Sequence, residues 1–334
     1  MIGSLIDTDK FSEKLRAKAI DQSNKRILIT NFFGSDQELD LSEPPNCNGY
    51  GRLRHFRLET TSGWPLNPLP IYPANKALQS SKNTELAAQV FQNSACNWRC
   101  WYCFVDFSLL SADPKRAGFF TARELIDLYL SEQNRPKVID LTGGQPDLTP
   151  EWIPWMMMEL RAKELEKETY LWSDDNLSND YFWHYLNDKE IELVSSYENY
   201  GKVCCFKGFD PVSFSYNTKA EPELFQRQFD LFKRLLTLRI DLYCYTTFTT
   251  PLDIGIEDQM KGFVDKLQEL HEYLPLRTVP LEIKIFSPTK NRIENETPNV
   301  LTNQWKAIEL WKKELTTRFS SQDLALNICD IPLK

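Results

Sequence analysis

The pattern of apolar and polar positions changes near residue 86. From there to about residue 290, short apolar runs alternate with longer segments in which apolar residues recur at helical spacing, which predicts strands followed by helices. The predicted strands are AAQVFQN, KVIDLTG, TYLWSD, KVCCFKG, DLYCYTTF and LEIKIFSP. The predicted helices span residues 121–133, where TARE forms a capping box, and residues 150–168, 178–197, 221–238, 256–273 and 302–319.

Six strand-then-helix units in succession predict an α/β fold with a parallel sheet joined by right-handed crossovers. Six units fit an open, partial (β/α)6 TIM-like barrel better than a closed barrel, which has eight. Ligands of such sheets bind at the C-terminal ends of the strands. The motifs described below all follow predicted strand ends.

The chain before the barrel has a different character. Residues 1–85 hold much of the proline and asparagine and show no sustained periodicity apart from a helix predicted over residues 9–19. We therefore predict an irregular N-terminal extension over 1–85, a barrel over 86–290 and a C-terminal helical segment over 291–334.

Composition and charge limit the classes of protein to which the chain can belong. The 334 residues are 42% hydrophobic and 26% charged, as expected for a globular protein, and the net charge of −8 opposes binding to nucleic acid. The only compact basic stretch, GRLRHFR at 51–57, is predicted to be a solvated loop or helix face. A tRNA-modifying role through Arg52, Arg54, His55 and Arg57 is an alternative that the acidic balance disfavours.

No segment of the sequence predicts a membrane or secretory location. No apolar run approaches the roughly 20 residues needed to cross a bilayer, and the first residues, MIGSLIDTDKFSEKLRAK, lack the apolar stretch of a signal peptide. We therefore expect a cytoplasmic protein without a membrane partner.

Eight cysteines are present, and three of them form the dense group CNWRCWYC with Cys96, Cys100 and Cys103. The eight cysteines are unevenly spaced along the chain, which argues against a disulfide framework and for a metal or cluster site at the dense group. Zinc usually takes four ligands with CxxC pairs, and here neither a second pair nor a histidine lies near the group in sequence. A cluster of four irons and four sulfides normally takes four thiolates, so three cysteines leave one iron open. A non-enzymatic protein with a structural zinc or cluster is the alternative.

With Tyr102 directly before the last cysteine, the loop resembles the CxxxCxΦC signature of the radical S-adenosylmethionine (radical SAM) superfamily. The resemblance covers about residues 86–290. It implies a [4Fe-4S] cluster held by Cys96, Cys100 and Cys103, with S-adenosylmethionine on the open iron and Tyr102 against its adenine. It further implies an oxidoreductase that reductively cleaves S-adenosylmethionine to a 5′-deoxyadenosyl radical, which abstracts hydrogen from a substrate. A one-electron donor such as flavodoxin or ferredoxin is then the expected partner.

The segment TGGQP after the second predicted strand resembles the GGEP motif of the same superfamily. The resemblance implies that Gly143, Gly144, Gln145 and Pro146 form a turn whose backbone binds the methionine amino group of the cofactor. Gln145 stands where the superfamily commonly has glutamate, so a charge contribution at this position is not expected.

Two further strand ends carry the resemblance. WSDDN is similar to the polar strand end that meets the ribose hydroxyls, which implies cofactor contacts from Ser173, Asp174 and Asp175, although a helix N-cap explains one aspartate equally well. CCFKGFDP resembles the DxKGFD segment of glycyl-radical-enzyme activases, which places Lys207 near the cofactor carboxylate. Cys205 stands where the activases have aspartate.

These observations predict an enzyme that abstracts hydrogen from an unidentified peptide or small-molecule substrate, and they assign no catalytic side chain. An activase that installs a glycyl radical on a partner enzyme is the alternative within the superfamily. The long N-terminal region and Cys205 both count against that alternative.

Overall fold

The computed structural model describes residues 5–81, 83–293 and 298–333, so the first four residues of the N-terminal stretch and part of the predicted C-terminal segment lie outside the described residues. The strands of the described part are β1 (Ile20–Asp21), β2 (Arg26–Thr30), β3 (Gly51–Arg57), β4 (Glu85–Gln92), β5 (Ala117–Thr121), β6 (Val138–Thr142), β7 (Tyr170–Asp175), β8 (Tyr200–Phe206), β9 (Asp241–Thr247) and β10 (Thr278–Leu281). The helices are α1 (Thr8–Ala19), α2 (Ile71–Ala77), α3 (Ala122–Ser131), α4 (Trp152–Ala162), α5 (Tyr181–Tyr185), α6 (Asp188–Ser196), α7 (Pro211–Thr218), α8 (Leu224–Leu235), α9 (Ile256–Leu270), α10 (Lys290–Ile293), α11 (Val300–Arg318) and α12 (Ser321–Leu324).

A seven-stranded sheet forms the centre of the molecule, with the strand order β10-β9-β8-β7-β6-β4-β3. The strands from β4 to β10 in this sheet run parallel, and β3 pairs antiparallel with β4 at one edge. Within the described residues, the two outer strands pair with no partner that would close the sheet. The predicted α/β partial barrel is therefore confirmed.

The central strands are buried on both faces, as parallel strands covered by helices require. Alternate residues point to opposite sides because side chains in a strand have a period of two. The inner face carries one apolar cluster, whose strand residues include Val138, Tyr170, Trp172, Val203 and Tyr243. The outer face packs against the helices in a second cluster, whose strand residues include Ile139, Leu141, Leu171, Cys204 and Phe206.

Two of the predicted elements are not formed as predicted. The prediction of a strand over LEIKIFSP is wrong, because β10 ends at Leu281. The backbone of Ile283 forms its hydrogen bonds with a side chain instead of with a neighbouring strand. The amide of Gln304 in α11 accepts from Ile283 N at 3.1 Å and donates to Ile283 O at 3.0 Å. The helix predicted over 178–197 is two helices, because Asn187 caps the start of α6 in a capping box with Glu190.

The N-terminal 85 residues form more regular secondary structure than the sequence predicts. The stretch GRLRHFR is strand β3, so its prediction as a solvated loop or helix face is wrong: Arg52 is only 4% exposed and faces inward. A small antiparallel sheet of β1, β2 and β5 and the helices α1 and α2 also use this region. The division of the chain at residues 85 and 290 stays a prediction. Among the described helices, none is both long and apolar enough to span a membrane.

Candidate functional site

The cysteine loop begins where β4 ends and is fixed in place by backbone hydrogen bonds at several points. Gln145 N donates to Ala95 O at 2.7 Å, and Cys96 N donates to Leu110 O at 3.1 Å. Further along, Trp101 N donates to Asn217 O at 3.3 Å. The loop therefore takes its shape from distant parts of the fold and not from local structure alone.

Buried polar side chains hold the same loop from its far side. Asn97 donates to Ser12 at 2.8 Å and to Ser178 at 2.7 Å, and Trp98 Nε1 donates to Thr8 at 3.1 Å. Because Thr8 and Ser12 belong to α1, the first helix of the chain is bonded directly to the cysteine loop. This connection satisfies donors that would otherwise be buried without partners.

The structure brings Cys96, Cys100 and Cys103 to one cavity of about 270 Å³ at the C-terminal ends of the strands, named here the cysteine cavity. Each of the three is partly exposed, whereas the other five cysteines are buried. The sequence-predicted residues that line it are Cys96, Cys100, Tyr102, Cys103, Gly143, Gly144, Asp174 and Lys207. Gln145, Pro146, Ser173 and Asp175 are not part of its wall.

Positive charge surrounds the cysteines. Arg99 donates to Cys96 O at 2.5 Å and to Trp98 O at 2.9 Å, and Arg292 donates to Cys103 O at 2.7 Å. Burial raises the pKa of the Cys100 thiol to about 12, while the charge of Lys207 opposes that rise. A thiol in this state binds metal by losing its proton, and the nearby cations favour the resulting thiolates.

The glycine turn after β6 lies against the start of the cysteine loop. Gly143 and Gly144 have φ angles of +70° and +66°, which residues with a side chain rarely adopt. A Cβ atom on Gly144 would lie 2.2 Å from Asn93 O and 2.5 Å from Ala95 O. The two loops can approach this closely only because residue 144 has no side chain.

Gln145 connects two strand ends behind the cavity. Its side chain is 1% exposed, donates from Nε2 to Asp175 Oδ1 at 2.8 Å and accepts from Asn176 N at 2.9 Å. A glutamate here would have no donor for Asp175 and would place two carboxylates in contact. This environment explains why glutamine suits position 145 in this chain.

Of the three polar residues at the end of β7, only Asp174 reaches the cysteine cavity. Thr142 donates to one of its oxygens, and the other oxygen, Oδ1, is buried without a partner among the described residues. Ser173 bonds to the Tyr200 hydroxyl at 2.7 Å on the opposite face of the sheet. The alternation of strand side chains separates these neighbours.

Lys207 lies in the cavity wall beside Cys205. Its backbone is held by Gln228 and Asn217, and no carboxylate of the described residues forms an ion pair with its ammonium. Burial opposes its charge, but the neighbouring Cys205, Tyr102 and Cys100 raise the pKa of Lys207 well above the ordinary value. The ammonium is therefore a cation available to a ligand in the cavity.

A buried ion pair that the sequence analysis missed lies behind the site. Lys202 on β8 is fully buried, with its Nζ 2.6 Å from Asp147 Oδ2 and 3.8 Å from Asp175 Oδ2. A lysine within an otherwise apolar strand was the available signal, because a buried lysine needs a charged partner. Asp175 thus connects this ion pair to Gln145 and the glycine turn.

Two more residues of the cavity wall come from strands that the motifs do not mark. Arg54 on β3 and Tyr245 on β9 both line the cysteine cavity. Arg54 Nη1 lies 3.3 Å from Asp140 Oδ2, and the Tyr245 hydroxyl donates to Leu69 O at 3.0 Å.

Comparison with known proteins finds similarity only among solved structures, since no family model and no curated protein matches the chain. Streptococcus suis SuiB bound to the precursor peptide SuiA is 14% identical with a TM-score of 0.39, over 54% of this chain and 36% of that chain. SuiB bound to S-adenosylmethionine is 15% identical with a TM-score of 0.39, over 54% and 37%. A further SuiB structure is 16% identical with a TM-score of 0.38, over 54% and 36%. The matched region therefore spans little more than a third of the SuiB chains.

Proposed function

We propose that this chain is a radical SAM enzyme that binds a [4Fe-4S] cluster through Cys96, Cys100 and Cys103 and cleaves S-adenosylmethionine reductively. The observation that carries the proposal is the convergence of all three loop cysteines with the glycine turn and Lys207 on one cavity. This cavity lies at the strand ends, where parallel barrels bind their ligands. The N-terminal strand β3 and the segment after β10 complete its walls.

The donor set fits a cluster better than a single metal ion. Among the described residues, no group of three or more His, Cys, Asp or Glu side chains is arranged to hold one ion. A closed zinc site would also need a fourth ligand. Three thiolates around a larger cluster bind separate irons and need not converge on one point, and they leave one iron open for a ligand.

The chain's own residues supply a surface suited to S-adenosylmethionine. The glycine turn presents bare backbone to the cavity, Lys207 offers a cation to a carboxylate, and Asp174 offers an oxygen to hydroxyl donors. Tyr102, whose hydroxyl lies 3.3 Å from Thr247 Oγ1, provides an aromatic wall. When bound, the cluster would supply the electron that converts S-adenosylmethionine into a 5′-deoxyadenosyl radical able to abstract hydrogen from the substrate.

The remaining wall protects such chemistry from water. Phe104, Tyr245, Leu281, Ile283 and Phe286 give the cavity a mostly apolar lining. Excluding water from a site limits side reactions of reactive species. The proposed reaction also requires a one-electron donor, of the flavodoxin or ferredoxin type.

Anaerobic reconstitution tests this function. The protein would be purified without oxygen, supplied with iron and sulfide, reduced with dithionite and assayed for 5′-deoxyadenosine after addition of S-adenosylmethionine. We expect about four irons per chain, as one [4Fe-4S] cluster contains, together with formation of 5′-deoxyadenosine.

Matched cysteine variants separate a cluster site from adventitious iron. Cys100→Ala should lose both iron and 5′-deoxyadenosine, whereas Cys329→Ala, which removes a buried thiol outside the cysteine cavity, should keep both. Equal iron content in the two variants, or a fully loaded protein that leaves S-adenosylmethionine intact, would refute the proposal.

A further inference from the structure

A second cavity adjoins the cysteine cavity. It has a volume of about 610 Å³ and is named here the arginine cavity, because Arg52, Arg54 and Arg57 of β3 line it. Exposed residues such as His55 and Glu59 surround its outer part, so it opens to solvent. The residues that line both cavities are Arg54, Phe104, Glu282, Lys284 and Phe286. A molecule bound in the arginine cavity therefore lies next to the cysteines.

Arg52, in the wall of this cavity, is an unpaired buried cation. Its side chain is 4% exposed, yet Nε and Nη2 are buried with no hydrogen-bond partner among the described residues. Burial and the charge of Arg54 lower the pKa of Arg52 to about 9, so the guanidinium remains charged at neutral pH. An unpaired buried charge is strongly unfavourable, and a protein normally supplies a partner for it.

The nearby carboxylates do not provide that partner. Asp140 Oδ2 accepts from Arg54 and Asp174 Oδ2 accepts from Thr142. The charges of both carboxylates favour the charged form of Arg52, but neither carboxylate forms a hydrogen bond or an ion pair with it. The aromatic neighbours do not provide it either, because Phe104 and Phe32 offer only ring faces, with ring centres 5.3 and 5.9 Å from Cζ. A cation–π contact supplies no hydrogen-bond acceptor lone pair in these positions, so Nε–H and Nη2–H stay without a partner.

The two unpaired nitrogens lie on the same edge of the guanidinium. Nε–H and Nη2–H point in parallel and match the two oxygens of a carboxylate or phosphate, the bidentate arrangement in which arginine binds these groups most strongly. Both nitrogens are covered in this structure, so an anion reaches them only when neighbouring side chains shift, and it would then satisfy both donors together. Two other cations of the cavity wall are already paired, Arg57 with Glu85 and Lys284 with Glu282.

We propose that the arginine cavity binds the substrate by an anionic group, a carboxylate or a phosphate, held on the Nε–Nη2 edge of Arg52 with Arg54 beside it. That the bound molecule is the substrate rests on the proposed function, whereas anion binding does not. The shared wall of the two cavities then sets which part of the substrate faces the cysteines. Substrates without an anionic group would bind weakly.

Equilibrium binding tests the inference without any radical chemistry. The full chain would be titrated by calorimetry, at constant ionic strength and without S-adenosylmethionine, with acetyl-Ala-Glu-Ala-amide, glutarate and glycerol 3-phosphate. The uncharged acetyl-Ala-Gln-Ala-amide is the ligand control. We expect at least one anionic probe to bind, with the carboxylates and the phosphate distinguishing the two sources of the anion, and the glutamine peptide not to bind.

Arginine variants link the binding to one side chain. Arg52→Gln should weaken binding of the anion at least about tenfold, whereas Arg239→Gln, at an exposed arginine paired with Glu192, should leave it unchanged. Without ligand, Arg52→Gln should unfold at the same or a higher temperature, because it removes an unpaired buried charge; a purely structural arginine would give the opposite result. If Arg52→Gln does not fold, Arg52→Lys keeps the charge but lacks the two-donor edge and should also weaken binding.

The outcomes separate this inference from the proposed function. Binding of an anion that depends on Arg52 would stand even if S-adenosylmethionine were not cleaved. Equal affinity of every probe for wild type and both Arg52 variants, or no binding of any probe, would overturn the inference even if cleavage occurred.

Discussion

Replacing Gly144 by alanine tests whether the glycine turn positions the cysteine loop. The added Cβ would lie 2.2 Å from Asn93 O and 2.5 Å from Ala95 O, and real Cβ atoms essentially never approach other atoms closer than 3.0 Å. Both contacts are with backbone, so no side-chain rotation relieves them. The loop or the turn must move by several tenths of an ångström or more.

Two costs add up in this variant. A residue with a side chain at a φ of +66° costs roughly 1–2 kcal/mol. Forcing extra volume into a packed site costs typically about 1–3 kcal/mol. Moving the loop would also strain the hydrogen bond from Gln145 N to Ala95 O, which is 2.7 Å long. We therefore expect Gly144→Ala to lose about 2–5 kcal/mol of unfolding free energy.

Gly34 provides the matched control. Its φ is +68°, nearly the same as that of Gly144, but a Cβ there would have no atom within 4 Å. Gly34→Ala thus carries the backbone cost alone. Urea denaturation of both variants should show an excess loss of about 1–3 kcal/mol for Gly144→Ala, and iron content after reconstitution should fall in that variant alone. Equal stability and equal iron content in the two would show that the close contact does not position the loop.

Three other predictions concern buried charges. Lys202→Met should lower the unfolding free energy, measured by urea denaturation, by about 3–5 kcal/mol, because two carboxylates lose their cation. Adding Asp147→Leu should restore part of this loss. A double variant no more stable than Lys202→Met would contradict the prediction. Burial and the charge of Asp174 raise the pKa of Asp140 to about 7, so between the unfolded value of 3.8 and pH 7 the folded state binds more protons than the unfolded state. The unfolding free energy of wild type should therefore fall relative to that of Asp140→Asn as the pH rises through that range. A difference that stays constant, or that changes in favour of wild type, would be inconsistent with the raised pKa. Lys207→Met should weaken equilibrium binding of S-adenosylmethionine about tenfold without changing iron content. Lys207→Arg should recover part of the affinity. Unchanged affinity in Lys207→Met would show that Lys207 does not contact S-adenosylmethionine.

The sheet was predictable because its parallel strands are buried on both faces and appear as short, mostly apolar runs. β10 was misplaced because Gln304, 21 residues beyond Ile283, supplies the hydrogen bonds that end the strand. β3 was missed because Arg52 and Arg54 alternate with apolar residues, a pattern that matches a solvated segment equally well. No local feature of the sequence distinguishes an arginine inside a barrel from one in water.

The cysteine loop was predictable because its three thiols are close in sequence and face one cavity. Its surroundings were not, since Arg54 and Tyr245 come from strands far apart in the chain and only the sheet order brings them to the same cavity. Strand ends alone also could not show that Asp174 faces the cavity while Ser173 and Asp175 face away. That distinction depends on the register in which β7 joins the sheet.

The hydrogen bonds that shape the cysteine loop join residues far apart in the chain, at separations of 90 for Trp98 with Thr8, 116 for Trp101 with Asn217 and 189 for Arg292 with Cys103. Contacts of such high order form slowly, because long segments must close before the contacts contribute stability. We therefore expect the loop to reach its final shape late in folding, after the barrel strands have paired. Until then three thiols remain on a flexible chain, where oxidation can link them wrongly, so a reducing environment during refolding should determine how much protein can accept iron.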